Sequence, residues 1–296
     1  WLTHCPDIQL LLHQLREMMA ILTDPTLNFP KGEIYDLREA LSRIRIEGLF
    51  LDEAELYSMS KMLSYSAQLE RFFATLDKIK YPILSSSLIT SSPSNLVTLI
   101  DRVLDRYGKM RDNASPELAS IRRKIKNQEN SVREKLEKII RSQNLKNVLQ
   151  DAIITQRNGR YVVPVKSEHR ATVSGLVHDT SSTGATVFVE PSGVVEANNE
   201  IRVLKGKEAQ KIEIILYELS SIAGSFFDEI KGSYECAIEI NVIFSKAQLA
   251  YKMNATMPKL NAKGVINLNK ARHPLIDPKS VVATDIRLGK EFDTLV

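Results

Sequence analysis

The hydrophobic spacing changes period twice along this chain, and that change limits the folds open to it more than any other feature. Leu118, Ile121, Ile125, Gln128, Val132, Lys135 or Leu136, and Ile139 follow a heptad-like spacing. It returns at Val194, Asn198, Ile201, Lys205, Glu208, Ile212, Ile215, Leu219, Ile222 and Phe226. A seam of this kind is one narrow stripe of a helix, buried by meeting another helix. Between the seams, residues 153–157, 161–166, 172–178 and 185–189 are rich in Val, Ile, Thr and aromatic side chains in alternation, the signature of strands. The pattern predicts an antiparallel two-helix arm with a small β module at its far end. About 30 helical residues rising 1.5 Å each would reach roughly 45 Å.

Local signals agree with this reading. Ser115, Pro116 and Glu117 supply an N-cap, a residue suited to the first helical position and a carboxylate at the positive helix end. Asn158-Gly159 marks a two-residue hairpin, because both residues tolerate positive φ, and it sets Arg157 opposite Arg160. Earlier in the chain, Asp52 and Glu55 form a capping box ahead of Leu56, Met59, Leu63, Leu69, Phe73 and Leu76, predicting a helix over 52–77. Pro82 and Ser91-Ser92-Pro93 break the pattern before a helix carrying Leu96, Ile100 and Val103. A helix over 234–253 and short strands over 265–268, 283–288 and 292–296 complete the expectation. The fold class is mainly α: a helical core (1–114), an ascending lever helix (115–150), a β module (151–192), a returning lever helix (193–232), a core helix (233–257) and short C-terminal strands (258–296).

Charge is distributed unevenly. The net charge is +4, yet the stretch 118–170 holds thirteen Lys and Arg against five Asp and Glu, so the remainder is net acidic. A local basic block of this kind commonly neutralises phosphates. Lys138, Arg141, Lys146, Arg157, Arg160, Lys166 and Arg170 lie toward the β module and are the candidate nucleic-acid contacts. Arg122, Arg123, Lys124 and Lys126, further from it, read as a solvated helix face. The opposed Arg157 and Arg160 would repel each other, so they either hold an anion between them or splay apart into water as solvated side chains.

Residues 178–184 bring His, Asp, Ser and Thr together, but adjacency in sequence is poor evidence for a catalytic triad. Thr180, Ser181, Ser182 and Thr183 fit either a plain polar turn or an anion contact through hydroxyls and backbone amides. No catalytic residue and no metal site are expected, since Cys5 and Cys236 are the only cysteines and lack a zinc spacing. That usage suits a reducing, cytoplasmic setting. No apolar run approaches the roughly 18 residues of a membrane span.

The run ITQRNGRYVVPVKSEHRATVSGLVHDTSSTGATVFVEPSGVVEANNEI, residues 154–201, resembles the arm-tip region of MutS-like ATPases of the second bacterial branch. The order of helix, β unit, return helix and ARHPLID (271–277) extends the resemblance over nearly the whole chain. It implies a non-catalytic lever and clamp piece of a homodimeric ATPase, with branched DNA or, in some members, the ribosome and its RNA as the bound object. ATP and Mg would serve the full-length protein, as would a nuclease-like domain. No GxxxxGK[ST] loop occurs here, so this chain is expected to hold no cofactor and to end before that loop. Arg272 and His273 would lie near the nucleotide in the full-length protein. Phe227-Asp228-Glu229 formally matches the mismatch-reading Phe-x-Glu motif, but it is expected inside the return helix with Phe226 as packing. The competing reading is a coiled-coil scaffold whose β tip binds another protein, and steep salt dependence of binding would separate the two.

Overall fold

A computed structural model describes residues 4–46, 48–86, 91–277, 279–290, 292 and 294. Its helices are α1 (Cys5–Thr23), α2 (Arg38–Arg43), α3 (Glu53–Ala74), α4 (Ser94–Val103), α5 (Pro116–Ile140), α6 (Val195–Ser225) and α7 (Phe227–Lys252). The strands are β1 (Thr155–Arg157), β2 (Arg160–Lys166), β3 (Gly175–Thr180), β4 (Thr186–Pro191), β5 (Ile266–Ala271) and β6 (Thr284–Leu288). The fold is mainly α, with a four-stranded antiparallel sheet between α5 and α6 and a two-stranded one near the C-terminus.

The chain divides into two compact units. The first takes its described residues from 4–35, 61–94 and 228–294. Its core includes an aromatic cluster in which Phe29 stacks on Phe244 at 4.8 Å and meets Phe72 edge-on at 5.4 Å. Buried Glu17 accepts the backbone N–H groups of Ile83 and Leu84 at 3.2 and 2.9 Å. The expected strand over 292–296 falls largely outside the described residues, whereas β5 and β6 pair antiparallel, with Ile266 opposite Leu288.

The second unit, residues 36–60 and 95–227, carries the arm. The capping box before α3 forms as its sequence dictates: Glu55 N–H donates to Asp52 Oδ1 at 2.8 Å and Asp52 N–H donates to Glu55 Oε2 at 2.9 Å. Ser115 Oγ caps α5 by accepting from Leu118 N–H at 3.1 Å.

Helices α5 and α6 run antiparallel, as their cross-links show: Glu117 pairs with Lys211, Arg122 Nε with Glu208 at 2.7 Å, and Gln128 Nε2 donates to Glu200 at 2.7 Å. Numbers rise along one helix as they fall along the other. Leu118, Ile125, Val132 and Leu136 are buried on α5, and Ile201, Leu204, Ile215 and Leu219 on α6. Leu204, not Lys205, fills the seam, because Lys205 turns outward to Glu129 at 3.2 Å.

The return helix is shorter than the expected 193–232. It stops at Ser225, and Phe226 leaves helical geometry while its N–H bonds back to Ala223 and Gly224 carbonyls. Just before the break, Gly224 packs against the Ile44 carbonyl, where a Cβ would lie about 3.1 Å from that oxygen. Phe227-Asp228-Glu229 accordingly forms the first turn of α7 and is not inside the return helix. There Phe227 lies under the Arg45 guanidinium at 5.0 Å, while Asp228 and Glu229 sit at the positive helix end.

Candidate nucleic-acid interface

The strand order at the end of the arm is β1-β2-β4-β3. Asn158 and Gly159 have φ of 51° and 74°, so the turn joining β1 to β2 is of the kind the dipeptide predicts. Arg157 stands opposite Arg160 in register. The face of the sheet carrying Tyr161, Val163, Val165 and Val189 packs against Val132 and Leu136 of α5 and Ala197 and Ile201 of α6, which fixes the module to the arm. Residues 172–174, expected in a strand, instead close a 3-10 turn over Ser167–Thr172, and β3 starts at Gly175 and continues through Thr180. His178, Asp179 and Thr180 are therefore strand residues, and the polar turn is confined to 181–184.

The two hairpin arginines meet different carboxylates. Arg160 points inward, where Nη1 meets both oxygens of Glu190 at 2.8 and 3.0 Å and Nη2 donates to Asn199 Oδ1 at 2.6 Å. Glu190 is wholly buried and also receives Asn198 Nδ2 at 2.7 Å and contacts His178 Nε2 at 2.5 Å. Asn198 in turn grips the backbone of Tyr161, accepting its N–H at 3.3 Å and donating to its carbonyl at 3.1 Å. This cluster ties β2, β3, β4 and α6 together at one point. Arg157 turns the other way, ion-paired with Asp179 at 3.2 Å and stacked 3.9 Å from the Phe188 ring centroid. The expected repulsion is thus removed by two separate carboxylates. Glu190 and Asn198 were absent from the expected site, although a carboxylate beside Val187, Phe188 and Val189 is itself a sequence signal for a buried ionic contact.

The other candidates separate by what their charges meet. Arg170 donates to the carbonyls of Val173 and Gly175 at 2.9 and 2.7 Å and closes a turn. Arg141 forms an exposed one-turn pair with Glu137 at 3.3 Å. Lys138, Lys146 and Lys166 make no salt bridge among the described residues. Lys138 lies in the last turn of α5, and the ladder brings the Lys146 region to β2, since Lys166 N–H donates to the Val148 carbonyl at 3.0 Å. Ser167 N–H donates to the Ala185 carbonyl at 3.0 Å, so the 181–184 turn adjoins the same rim. Within it, Ser181 Oγ accepts from Thr186 N–H at 3.1 Å and lies 3.3 Å from Thr183 Oγ1, while Ser182 and Thr183 are exposed. Thr180, at the end of β3, uses its N–H to bond Asp179 Oδ1 at 2.8 Å.

Arg272 and His273 are exposed just after β5, with His273 Nδ1 accepting from Leu275 N–H at 3.3 Å. Among the described residues, no three His, Cys, Asp or Glu side chains are grouped to hold a metal ion, and no helix is long and apolar enough to cross a membrane.

A pair of antiparallel helices tipped by a small antiparallel sheet with a lysine-bearing rim is the class these elements define. Comparison with known proteins gives it a family. The chain is 43% identical over 271 residues to Endonuclease MutS2 of Geobacillus sp. (strain WCH70), a match covering 90% of this chain and 34% of that protein. It is 39% identical to Endonuclease MutS2 of Bacillus velezensis over 100% of this chain and 38% of that protein. Against Putative endonuclease MutS2 of Bacillus subtilis (strain 168), identity is 39% over 90% of this chain and 34% of the relative. The chain belongs to the MutS2 family. It spans little more than a third of the length of the curated relatives it matches. No family model matches it.

Proposed function

We propose that this chain is the lever and clamp region of a MutS2-type protein, gripping the phosphate backbone of structured nucleic acid, branched DNA or ribosomal RNA, through the rim of its tip sheet. The carrying observation is that Lys138, Lys146 and Lys166 make no salt bridge among the described residues and belong to the tip end of the arm. Each free ammonium on such a rim can displace a condensed counterion, a contact that is indifferent to base sequence. The hydroxyls of Ser182 and Thr183 and their turn add neutral donors beside the lysines. Arg141 and Arg157 contribute at the edge once their carboxylate partners yield, and Arg160 and Arg170 serve by holding the tip in shape.

ATP and Mg, which the family implies, find no matching residues here. Without a GxxxxGK[ST] loop the chain lacks the amide cradle and lysine that hold phosphates, and Arg272 and His273 alone do not replace them. On this reading the region acts by binding and leverage, and no reaction step is assigned to it.

The test is a salt titration of binding to a four-way DNA junction and to a structured RNA. Replacing Lys138, Lys146 and Lys166 with Ala should weaken both without sequence preference and flatten the log–log salt slope by about 2 to 3 units. Binding that ignores salt, or a folded triple variant with an unchanged slope, sinks the reading in favour of a protein-binding tip.

A further inference from the structure

The side of α6 turned away from α5 carries an apolar stripe. Val203 is 57% exposed, Ile214 48% and Tyr217 47%. They recur at helical spacing with Gly206 and Gln210, so these five positions lie within one narrow arc, opposite buried Ile201, Ile215 and Leu219. The charges beside the stripe are ordered: Arg202 and Lys207 precede Gln210, while Glu213 and Glu218 follow it. None of these four makes a salt bridge among the described residues, in contrast to Lys205 and Lys211, which are engaged by α5.

The stripe is self-complementary about its middle. Gln210 lies at the midpoint of α6 (Val195–Ser225), and every feature on one side has its counterpart at the same distance on the other. We infer that this face of α6 pairs antiparallel with the same face of a second copy of the chain, about a two-fold axis at Gln210. In that arrangement Val203 meets the partner's Tyr217, and the partner's Ile214 enters the space left by Gly206, where a Cβ would touch nothing among the described residues. Lys207 reaches the partner's Glu218 and Arg202 the partner's Glu213, each contact occurring twice. A parallel pairing in register would set like charges side by side, so the charge order selects the antiparallel partner.

The contact is a single helix face, smaller than the roughly 800 Å² per partner of a standard interface, so the dimer is weak and forms at high protein concentration. It sends the two tips to opposite ends, and is therefore distinct from any arrangement in which two tips close on one nucleic acid.

Sedimentation of the 296-residue chain should show a concentration-dependent dimer. Glu213→Lys with Glu218→Lys should weaken it at least about tenfold, as should Arg202→Glu with Lys207→Glu, by placing like charges together. An equimolar mixture of the two variants should restore the dimer as a heterodimer. These exposed positions leave the helix intact, and circular dichroism checks it. A chain monomeric at high micromolar concentration, charge-reversed variants that dimerise unchanged, or a mixture that fails to recover overturns the proposal.

Discussion

The stalk and the tip of the arm are held together by the same chemical types used in opposite ways. Along the stalk, charges lie at the margins of an apolar seam, where Lys205 and Glu129 still face water with side chains 46% and 27% exposed. In the tip, Glu190 is out of water altogether and depends on Arg160, His178 and Asn198 for its charge to be tolerated. A marginal pair can be lost with little effect, because water takes the vacated place. A buried one cannot, since the survivor is left charged in an apolar surround. The stalk is thus tolerant and the tip brittle, although they are continuous in the chain.

The widest break in this contrast should come from Glu190→Ala, which strands Arg160 and should cost about 3 to 5 kcal/mol, read as a loss in urea midpoint with the tip unfolding first by hydrogen exchange. Replacing Arg160 and Glu190 together with Leu should recover much of that loss, and a double variant as unstable as the single would show that the pair stabilises beyond satisfying itself. Next in size, Asn198→Ala removes the grip on the Tyr161 backbone and one donor to Glu190, for about 1 to 3 kcal/mol. In the stalk, Arg122→Ala gives up Glu208, Asp112 and the Met110 carbonyl, yet these contacts are partly solvated and about 1 kcal/mol is expected. Lys205→Ala should change stability by less than about 0.5 kcal/mol and vanish at high salt, whereas the Glu190 effect should persist there. A salt-insensitive Lys205 effect would erase the distinction.

What could be read in advance follows the same division. The Asp52 and Glu55 capping box, the Ser115 cap and the Asn158-Gly159 turn each depend on residues within four positions of one another, so the local chain suffices to specify them. The apolar seams were legible because a helix converts spacing into direction, although the drift between a helical turn and a heptad shifts the buried position by one residue at Leu204, in place of Lys205, and at Ala223, in place of Ile222. The break at Phe226 was not legible, and the residue that packs beside it on Gly224, Ile44, comes from far back in the chain. The opposition of Arg157 and Arg160 follows from the turn, but the partners Asp179, Glu190 and Asn199 arrive from strands and a helix that the hairpin itself does not specify. The three lysines were drawn from a larger basic set that sequence could not divide, since neutralisation depends on which carboxylates folding brings near.

Gly175 bears on how such a tip can vary. A side chain there would overlap the backbone of Glu190 and Pro191, which lie against it in the neighbouring strand. Sliding β3 by even one place would bring Ser174 or Leu176 to that spot and force the strands apart beside the only fully buried carboxylate of the sheet. The glycine therefore works as a registration pin, admitting one alignment of the two strands. The turn at 181–184 is at the other end of the same hairpin and bears no such restriction. Insertions grafted into that turn should extend the reach of the rim while leaving the alignment of β3 and β4 where the pin sets it, which makes the turn the place to change what the tip touches and Gly175 the place that keeps the change from spreading.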